Sequence, residues 1–416
     1  MSDVSWRLAA EQEELRARAR EVAMSLRDRV LEVPDCCDYP DDLFAVLVKE
    51  HMLGLEIPIK YDGGGHSLVS QCVVIEELAR ISATVALMAA YVSLTALPIM
   101  LAGTEEQKER FIPPLVRGEK LGSYALTEPD VGSDPSALQT KAERHGDSYL
   151  LNGEKRFIGN AGRSDTYVVF ARTGGEGARG ISAFIVDGQA EGVSADSLRT
   201  MGMPGWHLGA PHFHDVEVPV ENRLGEEGDG FRIAMMTFDR SRPVVAAQSV
   251  GVGQGAVDLA LDYASRRRTF GHPLMEHEGI QFKLARMETD VAAGRALTYQ
   301  AASAVDAGGE DMTKLAAMAK LVASDAAMRV TTEAVQVLGG NGYLKDFPAE
   351  RMMRDAKVLQ IYEGANEIQQ LVIARQMVKL AGGRDPVWPQ ALPGSAGVTT
   401  GEGEGHASSE KVGARV

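Results

Sequence analysis

The chain has 416 residues, with 44% hydrophobic and 24% charged side chains, the composition of a folded protein of about three domains rather than of a disordered segment or a disulfide-stapled mini-protein. Its 43 Lys and Arg stand against 58 Asp and Glu, a net charge of −15 that repels nucleic-acid phosphates and anionic headgroups. Three cysteines, Cys36, Cys37 and Cys72, form neither a CxxC pair nor an even set and read as a reducing, cytoplasmic setting.

The polar, charged start, Met1 to Glu14, does not read as a signal peptide. Apolar residues at helical spacing from Trp6 to Leu31 (Leu8, Leu15, Ala19, Val22, Leu26, Val30) predict a first helix, and Pro40-Asp41-Asp42 marks the start of another over Leu43 to Met52. Ile81 to Gly103 is uncharged and long enough to span a bilayer. Its Ser, Thr and Pro98 and the absence of flanking basic clusters instead predict a buried helix pair. A helix from Glu105 is expected to stop at Ile112, before Pro113 and Pro114.

Past Leu121 the pattern changes. Tyr149 to Leu151, Asn152-Gly153, then Lys155 to Ile158 reads as a two-residue hairpin, and Thr166 to Ala171, Ile181 to Val186 and His212 to Val218 read as further strands. Beyond Gly230 long helical segments return, over Phe231 to Phe238, Pro243 to Ser265, Ile280 to Ala307, Met312 to Leu338, Glu350 to Tyr362 and Glu367 to Leu380. The expected organisation is a helical domain at 1–120, a β domain at 121–228, a helical bundle at 229–382 and a disordered tail at 383–416.

Several motifs admit two readings. Gly251-Val252-Gly253-Gln254-Gly255 resembles a truncated dinucleotide fingerprint, which would make an NAD-dependent dehydrogenase, but without βαβ context helix packing explains it better. His207, His212, His214 and Asp215 do not close a metal set, and no metal is expected. The turn Thr127-Glu128-Pro129-Asp130-Val131-Gly132-Ser133-Asp134 either joins domains or offers N–H and hydroxyl groups to a planar ring or phosphate. Arg266-Arg267-Arg268-Thr269 suits a pyrophosphate or a solvated helix end, and Gln336 to Gly342 alone reads as a helix cap. Glu363, between two apolar segments, is either a buried base or an acid at a helix start.

Taken together and in order, Thr127-Glu128-Pro129 with Gly132-Ser133-Asp134, Arg267-Arg268-Thr269-Phe270-Gly271, Leu338-Gly339-Gly340-Asn341-Gly342 and Ile361-Tyr362-Glu363-Gly364 resemble the acyl-CoA dehydrogenase family over about Leu8 to Leu380. The resemblance implies an α+β multidomain fold: a helical N-terminal domain, a β-barrel-like middle domain and a C-terminal four-helix bundle. It also implies bound FAD, a homotetramer or homodimer, an acyl thioester of CoA or a carrier protein as substrate, and an electron-transfer flavoprotein as partner.

By position, Glu363 matches the base of the short- and medium-chain type, taking the α-proton while the β-hydride passes to flavin N5. Ser241 stands where some relatives carry the base instead. Tyr124, Leu126, Thr127, Gly132, Ser133, Phe157, Ile158 and Gly159 match segments around the isoalloxazine. Arg267 and Thr269 match diphosphate contacts, and Gln336, Gly339 and Gly340 a segment that reaches a neighbouring subunit's FAD. Ser133, Asp239, Arg242, Tyr362 and Gly364 match thioester contacts. A flavin-dependent oxygenase of the same fold would have no use for Glu363.

Gly159, Glu278, Ala365 and Asn366 depart from the family pattern, and Met203 to Gly209 is unlike the usual segment, which points to an unusual substrate. Gly159 lacks the Thr or Ser hydroxyl common beside flavin N5. A threonine there is expected to raise the flavin potential unless the backbone needs positive φ.

Overall fold

The computed structural model describes residues 8–35 and 39–382. Cys36, Cys37, the first residues of the N-terminal reading and the 383–416 tail lie outside them. One body extends to Gln376 and a short C-terminal piece begins at Met377.

Five helices open the chain: α1 (Ala10–Leu31), α2 (Asp41–Lys49), α3 (Leu68–Ala79), α4 (Ala83–Ala102) and α5 (Glu105–Val116). The Ile81 to Gly103 segment is one helix, α4, rather than a pair. Pro98 forfeits one backbone bond inside it, and burial of Leu97 and Ile99 beside the proline and of Val85, Leu87 and Met88 earlier in the helix outweighs that loss. Helix α5 runs through Pro113 and Pro114, which remove two backbone donors from its last turn, because burial of Ile112, Leu115 and Val116 outweighs that loss. The proline carbonyls still accept from Arg117 at 2.9 Å and Glu119 at 3.0 Å.

Nine strands follow: β1 (Gly122–Ala125), β2 (Lys141–His145), β3 (Ser148–Glu154), β4 (Ile158–Gly159), β5 (Thr166–Arg172), β6 (Ile181–Asp187), β7 (Val193–Leu198), β8 (Leu208–Pro219) and β9 (Arg223–Leu224). They form one sheet in the order β4-β8-β3-β2-β5-β6-β9, with β1 on β5 and β7 on β8. The hairpin expected at Asn152-Gly153 is elsewhere: β2 and β3 join through Gly146-Asp147, where Gly146 holds φ 61°. Asn152-Gly153 is instead a bulge inside β3. The Asn152 side-chain amide donates to Asp215 across the sheet at 2.9 Å, and the register against β8 shifts there. Tyr149, Tyr167, Phe184 and Phe213 fill one face of the sheet.

The remaining helices are α6 (Gly230–Arg266), α7 (Glu278–Asp306), α8 (Met312–Leu338), α9 (Ala349–Leu359) and α10 (Asn366–Ala381), with a short β10 (Arg268–Thr269) and β11 (His272–Pro273) between α6 and α7. Helix α6 is a single 37-residue element crossing Pro243, where two helices were expected. It lies against α3, α4, α7 and α8, so tertiary packing carries the chain through the proline. Both α4 and α6 are long and apolar enough to cross a membrane, yet 72% and 78% of their most apolar stretches are buried inside the fold, as core helices are.

Gly251 and Gly255 lie where α6 crosses α3. A Cβ at Gly251 would fall 2.2 Å from the Glu76 carbonyl oxygen, and one at Gly255 2.1 Å from that of Arg80. The glycine series is therefore a helix contact and not a nucleotide loop, which removes the NAD-dependent reading. Gly251→Val is expected to lower stability by about 1–3 kcal/mol through overpacking, measured by denaturant unfolding. An unchanged midpoint would show that the two helices separate freely.

Candidate functional site

Helix α9 ends at Leu359 and α10 begins at Asn366, and the intervening loop carries Tyr362, Glu363 and Gly364. Glu363 has φ 56° and Gly364 φ 91°, two consecutive left-handed residues, of which only the glycine adopts that region without a steric penalty. The loop is held in this shape from beneath. Lys320 of α8, fully buried, donates to the Gly364 carbonyl and to Asn366 Oδ1, each at 2.9 Å. Gln369 Nε2 donates to the carbonyls of Gly364 at 2.8 Å and Glu363 at 3.2 Å. Asn366 in turn donates to Asp325 at 2.8 Å and Ser324 at 3.0 Å.

The Glu363 carboxyl points at α6. Ser241 Oγ donates to its Oε2 at 2.5 Å, and Oε1 receives no hydrogen bond from the described residues. Burial raises the carboxyl's pKa, opposed by the Ser241 donor and by the charges of Arg242 and Lys320. Burial takes Lys320 the other way, down to about 8, with the Glu363 charge opposing. Tyr362 Oη donates to Gln248 of α6, whose amide donates to the Ala83 carbonyl at 2.8 Å.

Arg242 is buried over the Phe238 ring, and its Nη1 lies 3.5 Å from Asp239 Oδ1, while its Nε has no partner. Asp239 also accepts from Thr313 at 2.8 Å. Tyr124, on β1, packs against Phe238 and leaves its own buried hydroxyl without a partner. Two orphaned buried polar atoms beside one carboxylate mark a place that a polar ligand completes.

The turn after β1 is built on a buried ion pair. Lys155 Nζ donates to Glu128 Oε1 at 2.8 Å and to the Leu126 carbonyl at 3.1 Å, while Glu128 also accepts from the Gln139 and Thr140 N–H groups. Gly132 and Ser133 are exposed, with nothing within 4 Å of a Cβ placed at Gly132. Phe157 has φ 59° and is 57% exposed next to Ile158 and Gly159. An open turn, an exposed aromatic and free polar atoms fit a planar polar ring.

Gly159 does not have positive φ, yet it has no room for a side chain. A Cβ there would fall 2.4 Å from Trp206 Cζ2 and 2.7 Å from Tyr91 Cζ. Its N–H donates to Tyr91 Oη at 3.0 Å, and Tyr91 meets Trp206 edge-on with ring centroids 4.9 Å apart. The departures at Gly159 and in Met203 to Gly209 are thus one feature, in which two aromatic side chains occupy the missing side chain's place. The threonine expected to raise the flavin potential has nowhere to go.

The other residues singled out lie elsewhere in the same chain. Arg267 and Thr269 follow the C-terminal end of α6, roughly 38 Å along its axis from Ser241 at 1.5 Å per residue. Thr269 Oγ1 lies 2.9 Å from His277 Nε2, and Arg267 has no carboxylate partner among the described residues. Gln336, Gly339 and Gly340 close α8 near that end, where Asn341 donates to Tyr263 Oη at 3.0 Å. Glu278 is the first residue of α7 and is exposed. His212 approaches Asp196 at 3.1 Å and His214 is exposed, and no metal-holding group occurs among the described residues. No local pattern marks the contacts of Ser241, Tyr91, Trp206 or the Lys155–Glu128 pair; for Lys320 the available signal is a lone Lys in the apolar helical run from Ala316 to Val322.

Models of the acyl-CoA dehydrogenase N-terminal, middle and C-terminal domains match residues 9–119, 123–216 and 228–378. The chain belongs to the acyl-CoA dehydrogenase family. An acyl-CoA dehydrogenase of Bacillus subtilis is 44% identical over 344 residues, 82% of this chain and 90% of that protein. The structure of butyryl-CoA dehydrogenase from Megasphaera elsdenii superposes with a TM-score of 0.87 at 43% identity, covering 90% of this chain and all of that one (100%). A chain from work on the electron transferring flavoprotein of Acidaminococcus fermentans and flavin-based electron bifurcation gives a TM-score of 0.88 at 40% identity, with coverage of 90% and 100%. This acyl-CoA dehydrogenase is an oxidoreductase acting on the CH–CH bond of acyl-CoA, with FAD as its cofactor. The oxygenase reading is not favoured.

Gly159→Thr is expected to cost about 1–3 kcal/mol by forcing Trp206 and Tyr91 apart, read as a lowered thermal midpoint. Unchanged stability would mean that the two rings yield without cost.

Proposed function

We propose that Glu363 is the base that removes the α-proton of a short saturated acyl-CoA. The observation that carries this is the carboxylate's own setting, desolvated, with one oxygen held by Ser241 and the other free of protein donors. Burial strengthens the base, while Ser241, Arg242 and Lys320 keep its ionised form accessible. The Glu363 N–H, which has no acceptor among the described residues, polarises the thioester carbonyl as the α-carbon gives up its proton, a contact worth a few kcal/mol. Arg242 and Asp239 on α6, Ser133 from the β1 turn, and Tyr362 with Gly364 orient the thioester.

Bound FAD supplies the two-electron acceptor for the β-hydride. Tyr124, Leu126, Thr127, Gly132, Ser133, Phe157, Ile158 and Gly159 would line its ring, and Arg267 and Thr269 its diphosphate. Within one chain the Arg267 end of α6 lies far from Glu363. That separation supports a homotetramer or homodimer in which Gln336, Gly339 and Gly340 serve a neighbour's cofactor. The butyryl-CoA dehydrogenase relative supports a short acyl chain. An electron-transfer flavoprotein is the proposed electron acceptor, in the cytoplasm.

Glu363→Gln preserves side-chain size and is expected to keep FAD and bind butyryl-CoA, while bleaching of the flavin under anaerobic mixing slows by about 10²–10⁴. Bleaching at the unmodified rate would place the base elsewhere.

A further inference from the structure

Ser241 stands on α6 among hydroxyl residues that behave differently from it. Thr237 Oγ1 donates to the Ile233 carbonyl at 2.9 Å and Ser249 Oγ to that of Val245 at 2.8 Å, the usual bond to the residue four positions back. Thr298 on α7 and Thr331 on α8 do the same, each at 2.8 Å. Ser241 has the same option toward Thr237 and does not take it. Its hydroxyl leaves the helix and donates to Glu363 Oε2 at 2.5 Å.

The other donors around Glu363 either bond elsewhere or, like Arg242 Nε and the Tyr124 hydroxyl, bond to nothing among the described residues. Lys320 is used by the Gly364 carbonyl and Asn366, Gln369 by the Glu363 and Gly364 carbonyls, and the Arg242 guanidinium lies against Asp239. The titratable and charged groups facing this carboxylate are Arg242 from α6, itself beside Asp239, Lys320 from α8, Tyr91 from α4, Tyr124 from β1 and its neighbour Tyr362. Arg242 and Lys320 act on it through their fields. Ser241 alone among the described side chains touches it by hydrogen bond.

Resting on the reading of Glu363 as the base, we infer that Ser241 is its positioning residue: the hydroxyl anchors one carboxylate oxygen and so designates the other, Oε1, as the atom that receives the α-proton. A carboxylate hung from a backbone in the left-handed region has several rotamers that point away from the substrate, and one short bond to a rigid helix selects among them. The same bond favours the ionised carboxylate, because a hydroxyl donor stabilises the anion more than the neutral acid.

The test compares FAD-loaded Ser241→Ala and Ser241→Thr with the unmodified enzyme. Infrared difference titration, with Glu363→Gln identifying the band, reads the protonation midpoint of Glu363 without any substrate. Ser241→Ala should raise that midpoint by about one pH unit, and Ser241→Thr, which keeps the hydroxyl, should return it. Anaerobic reduction by butyryl-CoA should then show a deficit that persists at high pH, from the lost choice of rotamer, and deepens by about tenfold below the midpoint, since the raised pKa matters only where the base is protonated. If Ser241→Ala fails to retain FAD, Ser241→Cys, a weak donor of similar size, should show the upward shift instead.

A midpoint that stays put in Ser241→Ala, or in Ser241→Cys where that variant takes its place, overturns the inference. So does a rate deficit of equal size at every pH. Glu363→Gln that still bleaches at the normal rate would instead remove the functional reading, and leave the infrared midpoint to judge the Ser241 contact by itself.

Discussion

A buried ammonium must find acceptors, and at Lys320 that requirement shapes the site. With its side chain sealed inside the bundle on α8, Lys320 takes the Gly364 carbonyl and the Asn366 amide oxygen, and both lie on the loop that presents Glu363. The left-handed backbone at Glu363 and Gly364 brings that carbonyl inward and turns the Glu363 side chain toward α6. Asn366 adds a second tie through Asp325 and Ser324, so the departure from the family pattern at this position carries hydrogen bonds of its own. The left-handed conformation at Glu363 is unfavourable by itself and persists because several partners over-determine it.

Much of the architecture was legible because hydrophobic periodicity reports burial, and burial is what these elements share. The errors have a common cause. Pro98, Pro113, Pro114 and Pro243 read locally as breaks, and each lies in a helix whose buried apolar contacts outweigh the absent donor. Asn152-Gly153 has turn chemistry, but Asn152 spends its side chain on Asp215 across a bulge, a contact with a residue far along the chain that no local pattern contains.

The site was legible to a different extent. Glu363, Tyr362, Gly364, Asp239, Arg242 and Tyr124 converge, as matching motifs in order would lead one to expect. What stayed hidden was the support: Ser241 approaching from another helix, Lys320 beneath the loop, and the Glu128–Lys155 pair under the β1 turn. Each is an ordinary residue type whose importance comes from a partner distant in sequence. A serine in a helix that also holds Thr237 and Ser249 carries no mark of where its hydroxyl points.

Gly159, Tyr91 and Trp206 occupy one volume between them, and that arrangement restricts how the sequence can change over time. Any side chain at 159 meets two aromatic rings, so a substitution there is tolerated only after Trp206 or Tyr91 has already become smaller. Shrinking either ring while position 159 remains glycine opens a void beside the strand instead. The three positions are therefore epistatic, with each single step between a side chain at 159 and the aromatic pair passing through a less stable intermediate, and a lineage that has acquired the pair is held there by packing alone.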